Sequence, residues 1–166
     1  MPKAVLAGLK KIKDIDISVI CAMLDSGGSA GKERELYKTN VSFGDIRRVF
    51  LALSNASPDV IEAFNIRFKD GPYKGLVVAN VLGTAMITDD MNYERVFKVY
   101  REILRVPPQY QIFPSTIDNA TLCAVLKNGQ TIKGEGNIDV PNHNSRVSRV
   151  YLEPKPHNPN PQELSR

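Results

Sequence analysis

Residues 15–35 read IDISVICAMLDSGGSAGKERE. The first half is β-branched and almost continuously apolar, the pattern of a strand covered on both faces, as in a parallel sheet. A strand is therefore expected over residues 15–24. The second half places glycines at 27, 28 and 31 and hydroxyls at Ser26 and Ser29. In open α/β sheets ligands gather at the carboxyl ends of strands, so this turn sits where a site would form. Three uses for it compete: a phosphate cradle, the opening of an acidic ligand site, or an ordinary strand-to-helix connection.

The phosphate cradle fails on its chemistry. A P-loop needs G-x-x-x-x-G-K-[ST], and with Gly31-Lys32 in place it asks for glycine at 26 and a hydroxyl at 33. The chain has Ser26 and Glu33 there, and a glutamate would repel phosphate instead of holding magnesium beside it. The G-x-G-x-x-G dinucleotide pattern is not met either. An acidic site fits better. Asp25 falls where the strand ends, and Gly27 and Gly28 let the backbone approach a bound group with amide N–H groups turned to an anion. A second acidic place follows at FGDIRR, residues 43–48, where Gly44 precedes Asp45 at a helix start with Arg47 and Arg48 in the first turn. Taken singly, an aspartate there is more often an N-cap and the arginines more often solvated.

Outward from these motifs, helices are expected over residues 4–12, 44–55 (opening on Asp45 as N-cap), 59–68, 76–87 and 93–104. Asp89 and Asp90 precede the last of these, where acidic side chains complement a helix N-terminus. The texture then changes to strands at 111–113, 121–126, 131–133 and 147–152, with Asn128-Gly129 as a hairpin turn. The prolines that crowd the end cannot continue a strand or helix. The expected organisation is a single α/β domain over residues 1–153, a mostly parallel sheet with helices followed by a β-rich segment, and a Pro/Asn-rich tail over 154–166.

A chain of 166 residues with 42% apolar and 24% charged content can bury a sizeable core, which argues against disorder. The net charge of +4, with 22 basic residues scattered among 18 acidic ones, makes a solvated surface the reading and gives no support to a nucleic-acid partner. Cys21 and Cys123 sit in apolar strand-like runs without a CxxC or nearby histidine, so buried reduced thiols are expected. His143 and His157 lie in polar Pro/Asn-rich stretches, which gives a metal role little support. Without a signal peptide or long apolar span, the expectation is a cytoplasmic protein with no membrane insertion.

The motifs in their order resemble a known family. DSGGSAGKERE followed by SFGDIRRVFLALS is similar to DDGGSSGRLR followed by PPGDIRxxLxAL, the pattern that unites YvcK-type gluconeogenesis factors with CofD-type 2-phospho-L-lactate transferases. The likeness continues through GPYKGLVVANVLG, residues 71–83, where family members show G-H-x-x-G-N. It resumes in residues 106–139, close to the family's P-x-T, T-L strand, turn and G-E-x-x-I-D, and in RVSRVYLEP, residues 146–154. The resemblance implies a Rossmann-like fold and a nucleotide-containing ligand: a UDP-sugar in a regulatory, cell-shape-related role for the YvcK type, or a guanylated phospholactyl donor and a deazaflavin acceptor, with a divalent metal such as Mg2+, for the CofD type.

Carried over position by position, Asp25, Gly27, Gly28 and Ser29 match the first motif and Gly44, Asp45 and Arg47 the second, with Asp25 and Asp45 as candidate metal ligands. Three departures stand against the pattern. The family's opening strand and GGGTG loop precede the point where this chain begins, and its second glycine-rich loop follows the L-E-P at which this chain passes into its tail. The histidine and asparagine of G-H-x-x-G-N are replaced by Pro72 and Leu76. The expectation is thus a shortened member, incomplete relative to the family, weak or inactive as a transferase on its own, with an exposed sheet edge covered by a partner or by self-association.

Overall fold

The computed structural model describes residues 2–26, 28–37, 42–90, 92–118, 120–140 and 143–155. The architecture is mixed α/β. Helix α1 (Pro2–Leu9) leads into strand β1 (Ile17–Cys21), and α2 (Gly28–Tyr37) follows the glycine turn. Four helices come next: α3 (Phe43–Leu53), α4 (Pro58–Asn65), α5 (Val78–Asp90) and α6 (Tyr93–Leu104). The C-terminal part holds β2 (Tyr110–Pro114), β3 (Thr121–Leu126), β4 (Thr131–Lys133), a single turn α7 (Glu135–Ile138) and β5 (Val147–Glu153). Most of the tail falls outside the described residues, as does His157.

Two sheets form, a parallel one among the helices and an antiparallel one in the β-rich C-terminal segment. β1 and β2 pair in parallel, Ile17 opposite Tyr110 and Cys21 opposite Pro114. β3 pairs antiparallel with both β4 and β5, in the order β4-β3-β5. The β3–β4 connection is the expected Asn-Gly hairpin, with Gly129 at φ +86°. The α2–α6 crossover between β1 and β2 supplies the long connection that parallel pairing requires.

α3 is the hub. Its apolar side carries Phe43, Ile46, Val49, Phe50 and Leu53, all buried, at the spacing that puts them on one face. This face packs on β1 and β2, on α1, and on α5 and α6. Tyr100 of α6 fills the centre, edge-to-face with Phe50 at 5.6 Å and Phe64 at 5.5 Å, and its hydroxyl donates to the Ala79 carbonyl. Where α5 meets this cluster the residue is Gly83: a Cβ there would stand 2.6 Å from the Tyr100 hydroxyl and 3.0 Å from the Phe43 ring.

Three expectations are corrected. β1 is not covered on both faces among the described residues; its burial alternates, Ile17 and Cys21 inward and Ile20 62% exposed. The N-cap of α3 is Ser42, whose Oγ accepts from Gly44 N–H at 3.3 Å, and Asp45 lies inside the first turn. The N-cap of α6 is Asn92, accepting from Arg95 N–H at 2.9 Å, while Asp89 and Asp90 end α5. The fold class is as expected, a parallel pair with helices followed by a β-rich C-terminal segment. Cys21 and Cys123 are buried and free, as expected. Among the described residues no helix is long and apolar enough to cross a membrane.

Candidate functional site

Because β1 and β2 run parallel, their carboxyl ends open on the same side of the sheet, and the segments beyond them meet there. Ser115 N–H donates to the Cys21 carbonyl at 2.8 Å, which ties the exit of β2 to that of β1. Ser42 N–H donates to the Met23 carbonyl at 3.3 Å, which brings the start of α3 to the same place. Asp25 lies in this corner. The position that a Cβ on Gly44 would take is 3.7 Å from Asp25 Oδ2 and 3.5 Å from Ser42 Oγ, so the carboxylate rests against the first turn of α3. The helix dipole favours an anion there.

A third wall comes from α7. Ser26 N–H donates to Glu135 Oε2 at 3.4 Å, and Gly136 N–H donates to Ser26 Oγ at 3.4 Å. The Glu135 carboxyl stands close enough to Asp25 for the two acidic groups to act on each other. Burial first, and Asp25 second, raise the Glu135 pKa above the usual carboxylate range. Three motifs far apart in sequence therefore converge: Asp25-Ser26, Ser42 to Gly44, and the G-E of residues 134–135. The corner is held by two local devices. A side chain at Gly31 would overlap the Ser26 carbonyl oxygen, so α2 can lie this close only with glycine there. Arg34 donates to the carbonyls of Leu24 at 3.4 Å and Ala120 at 3.1 Å, strapping the turn to the start of β3.

The two arginines of the second motif part company. Arg48 is exposed and pairs with Asp45 Oδ1 at 2.8 Å. Asp45 still makes itself felt at the end of β1: burial chiefly, and the Asp45 charge second, push the Cys21 thiol up to about 12, which leaves it inert as a nucleophile. Arg47 turns inward and is buried. Its Nε donates to Asn80 Oδ1 at 3.0 Å and its guanidinium also reaches Asn65 Oδ1. Asn80 Nδ2 donates in turn to Glu33 Oε1 at 3.1 Å. Glu33 is 1% exposed and its Oε2 has no hydrogen-bond partner. Burial pushes its pKa up to about 7, against the opposing pull of the Asn80 hydrogen bond and of Arg47 and Arg67; the Asp25 charge adds to the rise.

Of the residues singled out in the sequence, the structure brings Asp25 and Gly44 together and sets Asp45 at the same end of β1. Arg47 belongs to the interior. Gly28 and Ser29 open α2 by their backbone, and Gly27 lies outside the described residues. Leu76, at the asparagine position of G-H-x-x-G-N, is buried in apolar surroundings. Sequence reading missed Glu135, Ser26, Arg34, Asn80 and Glu33. Glu135 was within reach as the acidic residue of G-E-x-x-I-D, and Arg34 as the last arginine of DDGGSSGRLR; Glu33 replaces the leucine of that same pattern. A divalent cation held by Asp25 with Asp45 does not fit well, because the Asp45 carboxylate is taken by Arg48. Asp25 with Glu135, two carboxyls close enough to act on each other, is the donor pair that suits a hard cation, although among the described residues no group of three or more acidic, histidine or cysteine side chains is placed to hold a metal.

Comparison with known proteins agrees with this architecture. The family model for 2-phospho-L-lactate transferase CofD matches residues 3–166. A gluconeogenesis factor of Listeria monocytogenes serovar 1/2a is 37% identical over 158 residues, 95% of this chain and 47% of that protein. The gluconeogenesis factor of Bacillus subtilis strain 168 is 31% identical over 160 residues, 96% of this chain and 49% of that protein. The crystal structure of a UPF0052-family protein from Bacillus halodurans superposes with a TM-score of 0.87 at 27% identity, covering 98% of this chain and 51% of that one. The chain spans about half the length of the curated relatives it matches. With the motifs, the corner they build and the near-complete match to the family model, this chain belongs to the CofD/YvcK family that includes the gluconeogenesis factors.

Proposed function

We propose that this chain carries the sugar- or ribose-recognising part of a nucleotide-sugar site, in a YvcK-like binding and regulatory role linked to cell-wall precursor supply and cell shape, and that UDP-sugars are its ligand class. The observation that carries the reading is the convergence of Asp25, Ser26 and Glu135 with the first turn of α3 at the carboxyl ends of β1 and β2. Carboxyl oxygens that face one another can accept from the vicinal hydroxyls of a ribose or hexose. Gly44, having no side chain, leaves room against which a ring can lie. The N-terminus of α3 favours a negatively charged group beside it.

A second reading, a CofD-type transferase, draws on the family model and on the Asp25–Glu135 pair. Mg2+ held there would screen the charge of a phosphoryl donor, while this chain's own residues would fix its place: Arg34 by strapping the turn, and Ser42 by holding the α3 terminus. Calorimetric titration with UDP-N-acetylglucosamine and, separately, GDP with Mg2+ decides between them. Binding of the UDP-sugar, weakened at least about tenfold by Asp25→Asn as expected for a lost charge-assisted hydrogen bond, supports the first reading. Metal-dependent binding of GDP alone supports the second. A folded chain that binds neither overturns both.

A further inference from the structure

Parallel sheets occur almost only where helices cover both faces, and the β1–β2 pair breaks that rule. Alternation along the strands and the register of Ile17 with Tyr110 sort the side chains into two faces. Ile17, Val19, Cys21, Tyr110 and Ile112 look inward and belong to the core or pack against it. Ser18, Ile20, Gln111 and Phe113 lie on the opposite face, where Ile20 is 62% exposed and Ser18 is exposed beside it. Within the described residues each of the two strands has one hydrogen-bonded neighbour, so each also presents a bare edge. A β-branched residue open to solvent on the outer face of a parallel pair calls for a cover.

The size of the solved relative says what kind of cover. That chain superposes on 98% of this one with a TM-score of 0.87, yet this match takes up only 51% of it. The remainder of that fold is about as large as the present chain, and the β1–β2 pair is where parallel strands can be added. We infer that the outer face and edge of β1–β2 seat the half of the family fold that lies outside this chain, with strands joining β1–β2 and a helix closing over Ile20 and Phe113, and that this half docks there even when supplied as a separate polypeptide.

The test is to co-express the chain with the segments of the Listeria monocytogenes gluconeogenesis factor that lie outside the matched 158 residues, and to read mass by light scattering and solvent access by thiol labelling of Ile20→Cys. Residue 20 is exposed and the native thiols Cys21 and Cys123 are buried, so the new thiol reports alone. The expected result is a one-to-one complex in which labelling at position 20 slows by roughly tenfold or more, the size of change that burial gives. Ile20→Lys is expected to leave the circular dichroism of the isolated chain unchanged, since the position is exposed, and to abolish the complex. A self-dimer that protects position 20 without the added half would make a second copy the occupant and overturn the inference. So would a complex in which position 20 labels as fast as in the isolated chain, or no complex between two folded partners.

Discussion

Helix α3 stands between two polar regions that resemble each other in composition and differ in their access to water. On the inner side, Glu33, Asn80 and Arg47 form a buried chain that the Arg47 guanidinium extends to Asn65, with one oxygen of Glu33 left unpartnered. On the other side, Asp25, Ser26 and Glu135 form a half-open corner in which two carboxyls face each other. The buried chain is committed: its members have partners that only unfolding would replace, and its worth is in fixing α2 against α3 and α5. The corner is exchangeable, since a ligand hydroxyl can donate to its carboxyls at little cost. Similar groups are thus structural in one place and open to binding in the other, and burial makes the difference.

The largest effect expected on the inner side comes from the apolar frame that closes it. Phe50 is fully buried and meets Phe97 and Tyr100 edge-to-face at 5.7 and 5.6 Å, so Phe50→Ala should cost about 3–5 kcal/mol in a denaturant titration. A loss under about 1 kcal/mol would mean that this core is not the rigid element the comparison supposes.

Glu33 gives the comparison its pH signature. The folded chain holds this proton to about 7, whereas its ordinary value is 4.5. The folded state therefore binds more protons between these values, and the stability Glu33 contributes is complete below 4.5 and declines as pH rises through 7. The full decline is on the order of 3 kcal/mol. Glu33→Gln, which cannot ionise, should match the parent at pH 5 and exceed it at pH 8. Parallel pH profiles for the two proteins would show that Glu33 does not titrate in this window.

In the corner the effects should fall on binding and spare the fold. Gly44→Ala places a methyl 3.7 Å from Asp25 Oδ2, an ordinary contact, so stability should stay within about 1 kcal/mol of the parent. The methyl fills the space beside the carboxylate, and UDP-N-acetylglucosamine binding should weaken roughly tenfold, the equivalent of one lost hydrogen bond. Unchanged affinity would move the site away from Gly44. The smallest effect belongs to Asp45→Asn. Its pair with Arg48 is partly exposed, and such pairs contribute about 0.5 kcal/mol or less. The same change should lower the Cys21 thiol pKa, since Asp45 is one of the two causes that raise it.

How much of this was legible in the sequence follows from the range over which each determinant acts. The helices and the C-terminal strands were readable because periodicity and turn residues are local: residues 93–104, 121–126 and 131–133 have the bounds the sequence suggests. The cap of α3 was misjudged because Ser42 competes with the nearby Asp45 for the same role, and backbone angles decide the contest. The bare face of β1 was not legible, since a continuous apolar run does not state which of its faces will find a cover. Asp25 and Gly44 could be proposed from their motifs. Glu135 lies 109 residues from Ser26, and nothing in local spacing links the two. Glu33 and Asn80 look like ordinary helix-surface residues until the packing of α2 on α5 turns them toward each other.

Gly83 has a consequence that reaches across relatives. The space a side chain would need at this position is already occupied by the Tyr100 hydroxyl and the Phe43 ring, so the absent atom sets how closely α5 approaches its neighbours. A relative with alanine or serine here must yield elsewhere, either by giving up the hydroxyl at position 100, as phenylalanine would, or by carrying a smaller residue at position 43. The three positions should therefore vary together across the family and not independently, and a sequence that breaks the correlation marks a member whose α5 has shifted and whose Asn80, on the same helix, no longer stands where it can bridge two charged groups.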